Sequence, residues 1–503
     1  MSVPTASDCV DSPFNPHDNF DVIVIGGGGS GLAAAAAAGQ AGARVLVLEK
    51  QPQLGGTTWL AVGSISAAGT RLQKRAGIDD DPKSFIEDME AFTADLLPRD
   101  NPGLRAMLAH EAGPTVDWLE DLGVAFAGPY AEPPHRVLRM HNTVPGPRLI
   151  VDRLERAARL CGAVIQTNAI TKELLLDSND RVCGVVYRVD GQERRVMACG
   201  GVILASGDFS GNDTMRKEHL ASGAARAVPL NPNNRGDGFA LVQPLNAALC
   251  NMDAIFGPQL RFGRASRLGL NERLPSWPWL ARAAAFFFTH APMWMLKPLV
   301  RSLMIANMSP SERLFEAGAV LVSSTGQLLD PARPAQSVAH TNDRTGYIVM
   351  AASVANQFSA LPNYISTAPG IAYAFFKDYV RGRPDLVHAA KNANSLAVAL
   401  GMNESSLESA LGVLAKTPLV ALGPVNAMLT TTEGALSVDE KCQVLDSKGS
   451  VLTGLYAVGC MGQGGMLLRG HGLHLAWAFT SGRVAGNMAA QAARSDADGP
   501  VSL

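Results

Sequence analysis

Two short runs of consecutive apolar residues, VIVI at 22–25 and VLVL at 45–48, flank a stretch of glycine and alanine, GGGGSGLAAAAAAG, at 26–39. Unbroken apolar runs of this length, bounded by glycine or charge, predict buried strands, and the alanine-rich stretch between them predicts a helix. Residues 20–50 therefore read as strand, glycine turn, helix, strand, and the rest of the chain is arranged around this unit. Further along, RLIVDRLERAARLCG at 148–162 reads as a helix and VIQTNAITKELLLD at 164–177 as strand. Strands fall around 182–187 and 202–205, and 473–490 is rich in good helix formers and small residues.

The densest apolar stretch is WPWLARAAAFFFTHAPMWMLKPLVRSLMIANM at 277–308, within a segment spanning 263–316. Arg282, His290, Lys297 and Arg301 interrupt it, as do Pro278, Pro292 and Pro298. A spanning helix needs about twenty uninterrupted apolar residues, so a transmembrane segment is not expected. Three readings remain: a buried helical hairpin, ranked first; a lid over an apolar substrate; or a surface patch that touches a membrane or a second subunit.

At 503 residues the chain predicts two or three domains. A net charge of -2 with 17% charged residues gives no reason to expect a nucleic-acid partner. Seven cysteines lie scattered without C-x-x-C pairs, which argues against zinc, haem attachment or a disulfide framework and fits a reducing, cytoplasmic setting. No metal site is expected. Residues 1–18 are polar, with three prolines, and read as a disordered tail, with no signal peptide; 493–503 reads as a second tail.

Candidate chemistry begins in the first turn. Gly26, Gly28 and Gly31 have the G-x-G-x-x-G spacing directly after a strand. The first glycine makes the tight turn, the second lets backbone approach a pyrophosphate, and the third lets the helix pack closely on the sheet. The helix start offers free N–H groups and a positive dipole end to phosphate. Glu49, 18 positions after Gly31, can accept hydrogen bonds from a ribose. FAD and NAD both fit this fingerprint. Gly55 and Gly56 then permit close backbone approach, and Thr57 and Thr58 add hydroxyls.

With that fingerprint before it, QPQLGGTTWLAVGSISAAGT at 51–70 resembles the N-terminal signature of the fumarate reductase and ketosteroid dehydrogenase superfamily of FAD flavoproteins. The resemblance continues through KSFIEDMEAF and TVDWLEDLGV within 83–124, which look like the family's paired helices, and through LASGDFSGN at 204–212 and Arg235-Gly236-Asp237-Gly238, which resemble its A-T-G-G-F and T-G-D-G motifs. It returns in CQVLDSKGSVLTGLYAVG and GQGGMLLRGHGLHLAWAFTSGRVAG, between 442 and 486. It implies an α/β, doubly wound (Rossmann-like) FAD-binding domain built from 19–260 and 421–492, with an inserted α+β capping domain at 261–420. It implies FAD as cofactor, held by Gly26, Gly28, Ser30, Gly31, Glu49, Lys50, Gly56, Thr57, Thr58, Val62, Gly63, Ala169 (against the adenine), Gly207, Asp237, Gly459, His474 and Leu475.

For catalysis, the family's N-R-L-G-G-N pattern, in which an arginine binds a substrate carboxylate, places that arginine at Arg469 and a substrate-facing backbone N–H at Gly472. His471 flanks the same site, and Tyr364 and Tyr347 are candidate phenolic acids. Departures accompany these matches. The H-P element reads Gly257-Pro258-Gln259, the H-H-T-M-G-G segment reads Leu429-Thr430-Thr431-Thr432-Glu433-Gly434, the T-R-D motif is absent with Arg333 its nearest counterpart, and Leu468 stands where ketosteroid dehydrogenases carry a tyrosine. Fumarate is therefore not the expected substrate. The leading expectation is an FAD-dependent dehydrogenase or reductase acting on a carbon–carbon bond beside a carbonyl or carboxylate of a hydrophobic, steroid-like or acyl substrate. Its electrons pass to or from a separate carrier, quinone or oxygen. The alternatives are a flavin oxidase acting on a carbon–heteroatom bond and a flavin-binding electron-transfer subunit.

Overall fold

The computed structural model describes residues 19–263, 277–291, 309–368 and 372–497. The expected tail at 1–18 lies outside them. Strand β1 (Asn19–Ile25), helix α1 (Gly29–Gln40) and strand β2 (Val45–Leu48) form where the apolar and alanine runs place them. Helix α2 (Arg148–Leu160) leads into β3 (Val164–Gln166), and an antiparallel meander follows: β4 (Ile170–Leu176), β5 (Val182–Val189) and the long β6 (Gln192–Leu204). The chain returns to this sheet more than two hundred residues later with β7 (Gln443–Leu445) and β8 (Val451–Ala457), and ends in helix α3 (Leu473–Ala497).

The eight-stranded sheet has the order β7-β8-β6-β1-β2-β3, with β4 and β5 continuing from the first half of β6. Strands β8, β6, β1, β2 and β3 run parallel, in a register that aligns Ala457, Leu204, Ile25, Leu48 and Gln166 at one edge. That edge is the carboxyl end of every parallel strand, where ligands of doubly wound sheets bind. The fold is thus the expected α/β, doubly wound domain drawn from two separated stretches.

Small residues let the two stretches meet. A Cβ at Gly482 would lie 2.3 Å from the Ser30 carbonyl oxygen, and one at Gly486 would lie 2.3 Å from that of Ala34. Helix α3 therefore crosses the alanine face of α1 at a separation that no larger side chain permits. The expected helix pair appears as Pro82–Phe92 and Pro102–Asp121.

The cap is organised on one long strand, Leu419–Leu429. It pairs antiparallel with Thr345–Ala351, Gln259–Phe262 and Val387–Ala390, and parallel with Val228–Pro229. This sheet takes strands from both sides of positions 260 and 420, so the two units share strands at those points. Of the apolar insertion, 264–276 and 292–308 lie outside the described residues. Its described helix, Pro278–His290, departs from the expected burial in a cap hairpin: it packs on the strand Phe126–Tyr130 and leaves Phe286 66% exposed. Among the described residues no helix is long and apolar enough to cross a membrane.

Candidate active site

The aligned strand ends open into one cavity of about 770 Å³, near the upper end of small-molecule sites. It runs from the β1–α1 turn to the cap sheet. At the turn, Gly26 adopts φ +112°, and a Cβ there would meet the Ala205 carbonyl oxygen at 2.4 Å. A Cβ at Gly31 would lie 1.9 Å from the Gly26 oxygen, so this glycine seats α1 on the strand end and does not itself line the cavity. Gly28 differs from both: a Cβ there would meet nothing within 4 Å, because the space beside it is the cavity. A backbone that approaches open space at the positive end of a twelve-residue helix is a phosphate cradle.

Glu49 lies at the end of β2 with both oxygens bonded to backbone, Oε2 accepting from Gly27 N–H and Oε1 from Gln51 N–H, each at 2.7 Å. Its carboxylate thereby fixes the turn and still lines the cavity, where its remaining lone pairs suit a ribose. Lys50 Nζ donates to the Asn233 carbonyl oxygen and pairs with Asp237. Thr57 Oγ1 accepts from Asn231 and Asn234, both at 3.0 Å. These two asparagines are a feature the motif reading passes over. Asn234 is in turn held by the buried Asp208, which also accepts from the Thr432 N–H across the domain junction. Two cavity-lining hydroxyls, Ser206 Oγ and Thr171 Oγ1, are buried without any protein partner. Orphaned donors along a phosphate cradle are what a dinucleotide's oxygens would satisfy, so the residues present fit FAD. All the expected cofactor residues other than Gly31 line this cavity.

The opposite end lies between the loop before α3 and the cap. His471, Gly472 and Tyr364 line it as expected. Tyr364 is held against Tyr373, with ring centroids 5.0 Å apart, and under Arg313. Gly472 has φ +78°, and a Cβ there would meet Ser66 N at 2.7 Å. The loop is fastened on both sides: Ser66 Oγ donates to the His471 carbonyl at 2.8 Å, and the His471 N–H donates to Glu132 Oε1 at 2.8 Å. Glu132 is buried, and that burial pushes its carboxyl up to about 7 although the His471 N–H pulls the other way. Burial, then the charges of Arg261 and His474, hold the His471 imidazole below its ordinary range, so it is neutral at pH 7.

Three expected residues lie elsewhere. Arg469 does not line the cavity; its guanidinium is 3.1 Å from Glu433 Oε2 and donates to the Ile255 carbonyl oxygen at 2.5 Å. Tyr347 packs on His388 and Arg333 is exposed, neither of them on the cavity wall. In place of Arg469 the cavity presents Arg261, from the strand Gln259–Phe262. The sequence signal lay in two departures already visible: Gly257-Pro258-Gln259, which Arg261 follows two positions on, and Thr432-Glu433-Gly434, which contains Glu433. Glu433 is fully buried. Burial pushes its carboxyl up, but the nearby His474 imidazole at 3.6 Å, the charge of Arg469 and the Leu468 N–H together hold it below its ordinary range.

Comparison with known proteins agrees with this geometry. A family model described as FAD binding domain matches residues 21–276, just over half of the chain. A probable fumarate reductase, Ifc3, of Shewanella frigidimarina is 28% identical over 261 residues, which are 51% of this chain and 44% of that protein. The chain thus spans less than half the length of that relative. Among solved structures, the open conformation of a flavocytochrome c3 fumarate reductase superposes with TM-score 0.71 at 21% identity, over 95% of this chain and 79% of the other. The 3-ketosteroid-Δ4-(5α)-dehydrogenase from Rhodococcus jostii RHA1 superposes with TM-score 0.61 at 22% identity, over 97% and 100%. With a phosphate cradle, a ribose carboxylate and that match in the same residues, the cofactor is FAD, and the chain belongs to the FAD binding domain family, with the fold of the fumarate reductase and ketosteroid dehydrogenase flavoproteins.

Proposed function

We propose that this protein is an FAD-dependent oxidoreductase that reduces or dehydrogenates a carbon–carbon bond beside a carbonyl or carboxylate of a largely apolar substrate. One observation carries the reading: the FAD cradle and a chamber holding Arg261, His471, Gly472 and Tyr364 are one continuous cavity. The relatives named fumarate reductase and the neighbour named ketosteroid dehydrogenase support it, since both names describe redox at a carbon–carbon bond next to a carboxylate or ketone.

FAD, when bound, supplies the two-electron chemistry. The chain's own residues bind and orient the substrate. Arg261 and the Gly472 N–H would polarise its carbonyl or carboxylate, as donors aimed at developing negative charge do in enzymes generally. Tyr364 or the neutral His471 would hold the proton exchanged at the neighbouring carbon. Phe256, Phe262, Leu230 and Met428 wall the chamber against water. Electrons pass to or from a separate carrier, quinone or oxygen, and the setting we assign is cytoplasmic, with membrane contact through 277–307 as its variant.

The reading is tested by photoreducing the FAD-loaded protein without oxygen and mixing it with 2-enoic acids, with enones and with oxygen. Rapid reoxidation by an activated alkene is expected. Failure of every activated alkene to reoxidise it, whatever the rate with oxygen, would contradict the proposal and favour an oxidase acting on another bond.

A further inference from the structure

Among the described residues, the charged side chains lining the cavity are Glu49, Lys50, Asp237 and Arg261. The first three belong to the dinucleotide end, where Lys50 and Asp237 neutralise one another. Arg261 stands apart at the chamber end. Its Nη2 reaches only the Gln259 side-chain oxygen at 3.3 Å and Thr430 Oγ1 at 3.5 Å, and its Nε is buried with no partner. Contacts of that length are weak. A desolvated guanidinium without a counter-charge is costly, which is why burial pulls its pKa down. Its backbone is nonetheless held in register, since Arg261 pairs with Asn426 of the long strand on which the cap sheet is organised.

Arg469 likewise has a buried Nε with no partner, but its charge is matched. Its positive charge is met by Glu433, a carboxylate with no solvent exposure that also faces His474 at 3.6 Å. An anion arriving beside Arg469 would meet a pair whose charges already cancel. Among the described residues the chamber therefore offers one positive charge without a counter-charge, in a cavity whose wall also includes Phe256, Phe262, Leu230 and Met428.

Resting on the carbon–carbon redox reading above, we propose that Arg261, and not Arg469, anchors the substrate, and that the substrate is a monocarboxylic acid with an apolar body. One guanidinium fork matches one carboxylate bidentately. A second carboxylate, as in a dicarboxylic acid, would lie against the apolar wall without a cation, at a large desolvation cost. A neutral ketone would leave the Arg261 charge unmatched.

The test uses the FAD-loaded protein titrated with trans-2-octenoate, its methyl ester and fumarate, followed by perturbation of the flavin absorbance and by calorimetry. Wild type should bind octenoate about tenfold or more tighter than either of the others, the scale of a charge-assisted hydrogen bond. Arg261→Gln should erase the acid-over-ester preference while flavin content and Tm stay unchanged, and Arg261→Lys should restore part of it. Should Arg261→Gln not fold, the wild-type selectivity among the three probes still decides. Equal octenoate binding by Arg261→Gln, a wild-type preference for fumarate or the ester, or no binding of octenoate overturns the proposal. Reoxidation of the photoreduced protein separates this from the reading beneath it. If a neutral enone reoxidises it but octenoate does not, the anion assignment fails and the redox reading stands. If octenoate binds through Arg261 but neither alkene reoxidises it, the redox reading fails and the anion site stands.

Discussion

Arg261 and Arg469 carry the same guanidinium, yet their surroundings give them different work. Arg469 is spent on Glu433 and the Ile255 carbonyl, which fixes the loop before α3; Arg261 faces the chamber and lowers the pKa of His471 across it. If His471 is the base in dehydrogenation, activity falls as pH drops through its depressed pKa. Removing the Arg261 charge raises that pKa, so the acid limb of kcat/KM with octanoate, the saturated monocarboxylate, should move to higher pH in Arg261→Gln; an unmoved limb would separate the two residues. Glu132 is the second titrating group at this loop. Its folded pKa is raised to about 7 from an ordinary value near 4.5. The protonated form is therefore favoured by folding, and its contribution is present below about 4.5 and lost as pH rises through about 7. The Tm of Glu132→Gln relative to wild type should accordingly rise between pH 5 and pH 7.5, and parallel Tm profiles would show that Glu132 titrates normally. Off the cavity wall, Arg139 is fully buried between Asp80 and Asp88, its Nε and Nη2 meeting the two Asp80 oxygens at 2.8 and 2.7 Å. Arg139→Ala leaves the buried Asp80 carboxylate without its cation, while Asp88 keeps Arg136, and should cost about 3–5 kcal/mol in denaturant unfolding.

At the scale of elements, the glycines divide into those that permit packing and the one that makes room for a ligand. Gly28→Val places its side chain in open cavity at an ordinary φ of -77°. The apo-protein should keep its Tm while FAD affinity falls on the order of 100-fold, as expected when phosphate loses charge-assisted backbone contacts. Gly486→Leu should do the reverse, driving α3 from α1 and destabilising the fold by about 1–3 kcal/mol, measured by thermal unfolding. These elements are legible in the sequence because each is marked by a local pattern: β1, α1, β2 and the final helix stand where the apolar and small-residue patterns put them. Arg261 is not legible in that way. Its position depends on the pairing of Gln259–Phe262 with Leu419–Leu429, which joins residues more than 160 positions apart. Glu433 is hidden for a related reason, since a carboxylate in a turn reads as exposed until a histidine and an arginine from another loop close over it.

Over the whole molecule, two distant stretches make one sheet, and a cap inserted between them closes the cavity that the sheet edge opens. Of the residues the motif reading names, all the cofactor candidates but Gly31 line the cavity, and of the candidates for catalysis His471, Gly472 and Tyr364 line it and Arg469 does not. The difference is physical. A dinucleotide is gripped mainly by backbone turns, which short motifs encode, whereas the chamber is built from side chains that meet only after the cap folds over the sheet. The most direct measurement is a crystal structure of the FAD-loaded protein with trans-2-octenoate bound. The carboxylate should lie on the Arg261 guanidinium, with the C2–C3 bond between the flavin ring and the His471–Gly472 loop. A carboxylate on Arg469, or a ligand bound outside the chamber, would contradict the account.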